Sequence, residues 1–215
     1  MLFQHYACHV SYDSNTLILF GRSNQGSVAL HTKLTPHLFF ENVQDAEVTT
    51  GHNIVDWGER TFYKVTYENV RDYARARRKS SAFDGQVKAD SQWFIQQNLR
   101  PCSMFKVEVS PVEKITHCDA EYNLVSIQPA EGYIPPVVLS YDIECVASEG
   151  FPDPEKDPVI TIGCVSRETK CFCWKETPGY DWYPTEGEMI KAFLDYVQQV
   201  SPDILTGYNI NRFDN

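Results

Sequence analysis

Val137-Val-Leu-Ser-Tyr-Asp142-Ile-Glu144-Cys145 is an apolar run carrying two carboxylates, two residues apart, near its end. It reads as a strand, and because side chains alternate along a strand, Asp142 and Glu144 emerge on one face. The sequence that follows supplies a layer for the other face. Val159-Ile-Thr-Ile-Gly-Cys-Val165 and Cys171-Phe-Cys-Trp174 read as two more strands with short connections, which suits an antiparallel meander. Thr185-Glu-Gly-Glu188 fits a capping box. Ile190, Phe193, Leu194 and Val197 then follow at i, i+3, i+4 and i+7, the spacing of an amphipathic helix facing a sheet. Ser201-Pro-Asp203 stops that helix, and Ile204-Leu-Thr-Gly-Tyr208 reads as the next strand. Strands, helix, then strand describe an α/β layer fold.

Two like charges side by side repel, so the pair is costly unless a cation sits between them. Oxygen ligands suit Mg²⁺ or Mn²⁺. Alone, an Asp-x-Glu pair is common in exposed strands and is more often plain surface than a metal site. A third carboxylate changes that balance. Asp214 follows Gly207-Tyr-Asn-Ile-Asn-Arg-Phe213, just past a strand, where it could face the first pair. Three convergent carboxylates could hold two metal ions about 3.5–4 Å apart, the arrangement that hydrolyses phosphodiesters.

Towards the N-terminus the chain is β-rich. Strands are read at 6–12, 16–20 and 27–32 as a meander with tight turns, and another at 38–40 after Pro36. Residues 41–60 have no legible pattern. Helices are read at 68–79 and 89–98, then strands at 103–109 and 122–128. The Pro, Gly and Ala stretch 129–136 is linker-like, so the expected domains are 1–132, small and mixed, and 133–215.

Composition bounds the partners. The 215 residues are 42% hydrophobic and carry a net charge of −10, the wrong sign for a surface that grips nucleic acid throughout. DNA would have to meet a metal-filled carboxylate cluster or the one basic stretch, Arg60 to Lys79, which reads equally as a solvated helix face. Seven cysteines with no secretory signal ahead of them suit free thiols in a reducing, intracellular setting. Cys171 and Cys173 lack the second pair that a zinc site needs. No stretch approaches the ~20 apolar residues of a membrane helix.

Tyr141-Asp-Ile-Glu-Cys145, Phe151-Pro-Asp-Pro-Glu-Lys-Asp-Pro-Val-Ile160 and Ser201-Pro-Asp-Ile-Leu-Thr-Gly-Tyr-Asn-Ile-Asn-Arg-Phe-Asp214 resemble the first two exonuclease motifs of family B DNA polymerases. Their wording is similar to the delta-type enzymes of eukaryotes and of large DNA viruses. Leu19 to Leu30, Phe39-Phe40, Trp93-Phe-Ile95, Arg100-Pro-Cys102 and Phe105-Lys-Val107 are similar, more weakly, to that family's N-terminal domain. The resemblance implies an α/β (α+β) chain: a β-rich mixed N-terminal domain, then an incomplete ribonuclease H-like 3′→5′ exonuclease domain. It implies that Asp142, Glu144 and Asp214 are catalytic ligands of Mg²⁺ or Mn²⁺. Within the second motif, Asn209 helps place the terminal nucleotide or serves as a structural cap, Phe213 is counted with the substrate-binding residues or packs beneath the site, and Tyr208 stacks on a base or, by preference, belongs to the core.

The implied partners are primer–template DNA and a single-stranded 3′ end, with dNTPs, a sliding clamp and accessory subunits for a full-length protein. The implied location is the nucleus or a viral replication compartment. The family's third motif, Tyr-x-x-x-Asp, and its polymerising motifs do not occur in the 215 residues. This chain alone is therefore expected to be inactive, as a proofreading-polymerase fragment. Two other readings stay open: a non-catalytic nucleic-acid or partner-binding module, and a free-standing exonuclease of the same superfamily.

Overall fold

The structure is a computed structural model that describes residues 1–44, 46–52, 58–79, 81–147, 150–153 and 155–208. The chain divides into two compact units, Met1–Ile134 and Pro135–Asn215.

The first unit is built on a closed barrel. Its strands are β1 (Leu2–Ser11), β2 (Thr16–Ser23) and β3 (Gly26–Lys33), closed by two strands from much later in the chain. Between them lie β4 (His37–Phe40), β5 (Glu47–His52) and β6 (Glu59–Thr66), which form a separate three-stranded sheet in the order β4-β6-β5. Helices α1 (Val70–Lys79) and α2 (Ala89–Gln96) follow, then β7 (Met104–Pro111) and β8 (Ala120–Pro129). β8 pairs parallel to β3, and β7 pairs antiparallel to both β8 and β1, which removes every edge. Phe3, Leu17, Leu19, Val28, Leu30, Phe105 and Val107 fill the interior. Gly21 is needed where β1 crosses β2: a Cβ there would collide with the Gln4 carbonyl oxygen and lie 2.7 Å from the Phe3 ring.

Helix α1 starts two residues later than its charge pattern suggests, because Asn69 caps it. The Asn69 side chain accepts the Asp72 N–H at 2.8 Å and donates to the Asp72 carboxylate at 2.7 Å. Gln92 on α2 is buried because it continues the edge of β4, accepting from the His37 N–H and donating to the His37 carbonyl. Behind β3, the Glu121 carboxylate accepts from His31 Nε2 at 2.6 Å and from the N–H groups of Ile115 and Thr116. Those bonds outweigh the burial that would raise its pKa, and the net shift is downward.

The second unit is a five-stranded sheet with one long helix. β9 (Val138–Cys145), β10 (Val159–Val165) and β11 (Thr169–Cys173) form the expected antiparallel meander. The two-residue β12 (Asp181–Trp182) adds parallel to β11 at one edge. Helix α3 (Glu186–Val200) then crosses over, and β13 (Ile204–Thr206) adds parallel to β9 at the other edge. Thr185 caps α3 as its sequence suggests: its hydroxyl oxygen accepts the Glu188 N–H at 3.2 Å. The buried stripe of α3 is Met189, Phe193 and Tyr196, flanked by Ile190 and Val197. Leu194, expected in that stripe, is 52% exposed, because the helix is turned to put Met189 over the sheet. Ser201, in the left-handed region at φ 46°, ends the helix before Pro202. Among the described residues, no helix is long and apolar enough to cross a membrane.

Candidate functional site

Strand β9 presents two chemically different faces. Leu139 and Tyr141 are buried and Ile143 half-buried on the helix side, where the Tyr141 ring lies 5.3 Å from Phe193. Asp142 and Glu144 are exposed on the opposite face. At a strand rise of 3.2–3.4 Å per residue, their Cα atoms stand roughly 6.5–7 Å apart. Among the described residues, neither carboxylate meets a hydrogen-bond donor or a cation of the protein. Two hard, anionic oxygen donors on an interior strand of the sheet fit Mg²⁺ or Mn²⁺, which bind through one or two carboxylates plus water and phosphate.

Several neighbours hold this pair in place. On β10, Gly163 lies opposite Asp142 and Thr161 opposite Glu144. The register then shifts: Val159 pairs with Cys145, so Ile160 is an extra residue, a β-bulge beside the carboxylates. Side chains from elsewhere satisfy the backbone at that irregularity. The Val159 N–H donates to the Glu186 carboxylate at 2.8 Å, and the Val159 carbonyl accepts from the Trp174 indole at 2.5 Å. The connecting loop is organised by Asp153. Its carboxylate accepts from the Glu155 N–H and from Lys156, whose ammonium holds the Asp153 pKa below its ordinary value, with the Glu155 N–H adding to the effect.

On the other side, β13 brings the chain alongside β9. The Asp203 carboxylate accepts the Val137 N–H at 2.7 Å, and the Val137 carbonyl accepts from the N–H groups of Asp203 and Ile204. Thr206 is thereby registered with Ser140, two residues before Asp142, and both strands run toward the same edge. Asn209, Phe213 and Asp214 lie outside the described residues. Tyr208, expected in the core, is 91% exposed, because the strand pairing ends at Thr206. Among the described residues, no group of three or more His, Cys, Asp or Glu side chains is arranged to hold a metal.

The basic stretch is largely engaged within its own unit. Arg71 pairs with Asp13 at 2.5 Å, Arg75 with Asp72 at 3.5 Å, and Lys64 with Glu47 at 3.1 Å. Arg77 donates to the carbonyls of Gly85 and Gln86. Asp203, Glu186, Trp174 and Gly163 were not singled out from the sequence. Asp203 has a local signal, a Pro-Asp step directly before a strand; the other three do not.

Comparison with known proteins shows the family. The family described as "DNA polymerase family B, exonuclease domain" matches residues 80–215, which takes in the last part of the first structural unit as well as the second. The DNA polymerase delta catalytic subunit of Glycine max is 34% identical over 124 residues, covering 47% of this chain and 11% of the relative. That of Mesocricetus auratus is 32% identical over 164 residues, covering 61% of this chain and 14% of the relative. The chain thus spans between a tenth and a seventh of these relatives' length. The structure of the family B DNA polymerase from Pyrobaculum calidifontis superposes with a TM-score of 0.77 at 23% identity, over 100% of this chain and 31% of that one.

Proposed function

Because this chain belongs to DNA polymerase family B, matching its exonuclease domain over 80–215, we propose that it forms part of a delta-type DNA-directed polymerase catalytic chain and contributes to its 3′→5′ proofreading site. The observation that carries this reading is the exposure of Asp142 and Glu144 on one face of β9, with the helix packed on the other. The sequence expectation of a ribonuclease H-like layer suits the order of strands: three antiparallel, a helix, and a parallel strand beside the first.

The reaction is hydrolysis of the terminal phosphodiester of a single-stranded DNA end. Exonuclease domains of this family depend on metal, and Asp142 and Glu144 are the described residues that would hold Mg²⁺ or Mn²⁺. When bound, such ions supply an activated water and neutralise charge at the phosphate. The chain's own contribution is rigidity and charge. The two carboxylates are carried on a strand paired through them with β10 and braced just before them by β13, so their spacing is set by backbone pairing rather than by a loop. Asp214 as a third ligand, with Asn209 and Phe213 contacting the terminal nucleotide, are roles that rest on the motif resemblance. Primer–template DNA, dNTPs and clamp or accessory subunits are the partners proposed for the complete protein, working inside the cell in the nucleus or a viral replication compartment.

The test is the double variant Asp142→Ala, Glu144→Ala in the complete gene product. Degradation of a 5′-labelled single-stranded oligonucleotide should fall by on the order of a thousandfold or more, as expected when several kcal/mol of barrier lowering is lost. Nucleotide incorporation on a primed template should continue at the parent rate. A double variant that still degrades the oligonucleotide normally overturns the assignment, and so does one that loses both activities while remaining folded.

A further inference from the structure

Gly163 sits inside a strand, where glycine is a poor choice, and nothing in the fold asks for it. Its backbone is not in the left-handed region, and a Cβ built on it meets no heavy atom of the described residues within 4 Å. Glycine weakens a strand interior relative to alanine and often marks a place where a ligand comes close to the backbone. Both sequence neighbours, Ile162 and Cys164, are buried on the helix side, so the strand is firmly seated while position 163 stays bare on the carboxylate side.

Directly opposed residues in an antiparallel sheet share a face, with Cβ positions about 4.5–5.5 Å apart. The row through Gly163 is therefore Asp142 on β9, Gly163 on β10 and Cys171 on β11. Val165, two residues along β10 on the same face, is 52% exposed. Together these make a shallow notch, with a carboxylate on one side and half-buried Cys171 and apolar Val165 on the others.

We propose that this notch, resting on the exonuclease reading above, receives the sugar–phosphate of a single-stranded DNA 3′ end, and that Gly163 is a specificity-determining position. A cation such as Mg²⁺ held by Asp142 and Glu144 would bond oxygen at about 2.0–2.1 Å and so sit over β9. The notch lies one strand away, about 4.7–4.9 Å. A ligand whose phosphate reaches the carboxylates must extend sideways, and the bare strand is the side with room for a sugar against Val165 and Cys171. A branched side chain at 163, directly opposite Asp142, fills that room.

The experiment compares Gly163→Ala and Gly163→Val in the complete gene product, with Asp142→Ala alongside. The probes are a 5′-labelled single-stranded oligonucleotide for degradation, Mn²⁺ alone by titration calorimetry, primed template for incorporation, and thermal unfolding. Gly163→Val should raise KM for the oligonucleotide at least about tenfold, with Gly163→Ala intermediate, the signature of lost substrate binding. Mn²⁺ affinity, incorporation and Tm should match the parent, with Tm equal or higher. An unchanged KM overturns the proposal. Mn²⁺ affinity falling together with KM overturns it too, by placing the position in the cation site, and a lowered Tm does so by showing that another part of the chain fills the space. If Asp142→Ala still degrades the oligonucleotide, the exonuclease reading itself fails; if it does not and Gly163→Val is normal, only the notch fails.

Discussion

Replacing Asp203 should loosen the edge of the sheet on which the second exonuclease motif depends, and leave the core of that unit intact. The three-residue strand β13 is exposed along its whole length, with Leu205 50% exposed, so apolar burial contributes little to holding it. Besides its short parallel pairing with Val138–Ser140, it is anchored at Val137. The Val137 N–H gives its proton to the Asp203 carboxylate at 2.7 Å, and the Val137 carbonyl takes the backbone protons of Asp203 and Ile204 at 2.8 and 3.2 Å. A hydrogen bond to a charged acceptor contributes about 1.5–3 kcal/mol. Since each 1.4 kcal/mol is a factor of ten, Asp203→Ala should raise the local opening of β13 roughly ten- to 150-fold. Asp203→Asn keeps an oxygen acceptor and should fall between alanine and the parent. Native-state amide hydrogen exchange reads this directly: Val137 and Ile204 lose protection by that factor, and Ile162 in the middle of the sheet does not change. Equal protection of Val137 in parent and Asp203→Ala would refute the reasoning, and so would a loss that reached Ile162 equally, which would mean that Asp203 supports the whole unit.

Two further predictions concern the first unit. Burial of His5, partly offset by a hydrogen bond with the Ala7 backbone, lowers its pKa from 6.5 to about 4, and its Nδ1 accepts the Cys102 N–H. The unfolded chain therefore takes up a proton below pH 6.5 that the folded unit refuses. Stability is full above pH 6.5, declines as the pH falls toward 4, and loses on the order of 3 kcal/mol over that window. Urea unfolding at pH 7 and pH 4.5 checks this, with His5→Phe expected to flatten the dependence and an unflattened one counting against the assignment. Removing the carboxylate by Glu121→Leu leaves His31 and the N–H groups of Ile115 and Thr116 without their acceptor. The loss should be about 1.5–3 kcal/mol, the usual contribution of hydrogen bonds to a charged acceptor. A loss below about 1 kcal/mol, the typical exposed-pair value, would mean the group is solvated in solution.

What could be read in advance followed the range of the interactions involved. The β9 alternation, the Thr185 cap and the β9–β10–β11 meander are local, and each is visible within about ten residues of chain. Barrel closure was not legible, because it joins Val28–His31 to Ala120–Asn123, ninety-two residues away. Strands β5 and β6 were missed for a different reason. They form a small sheet of their own with β4, held by edge contacts such as Phe62 with Phe83 at 5.2 Å, and their residues lack an apolar alternation. The misplacement of Leu194 shows the limit of periodicity. Met189, Phe193 and Tyr196 repeat as well as Ile190, Phe193, Leu194 and Val197, and only the burial of Met189 and the packing of Tyr196 against Phe172 choose between the stripes. At the site, the two carboxylates were apparent because charge at strand spacing is unusual in an apolar run. Gly163, which differs from its neighbours by having no side chain, left no pattern to find.

The extra residue Ile160 acts as a change of phase within β10. Thr161, Gly163 and Val165 share the carboxylate face, yet Val159, of the same parity, pairs with Cys145 and packs toward the helix. One strand thus serves two masters out of step with each other, one side clamped by Glu186 and Trp174, the other aligned with Asp142 and Glu144. Length changes are therefore not equivalent along this hairpin. The loop from 146 to 158 can lengthen or shorten and leave both carboxylates pointing where they do. Gain or loss of a single residue between 159 and 163 turns one row over, and lineages that vary this hairpin should confine their insertions to the loop.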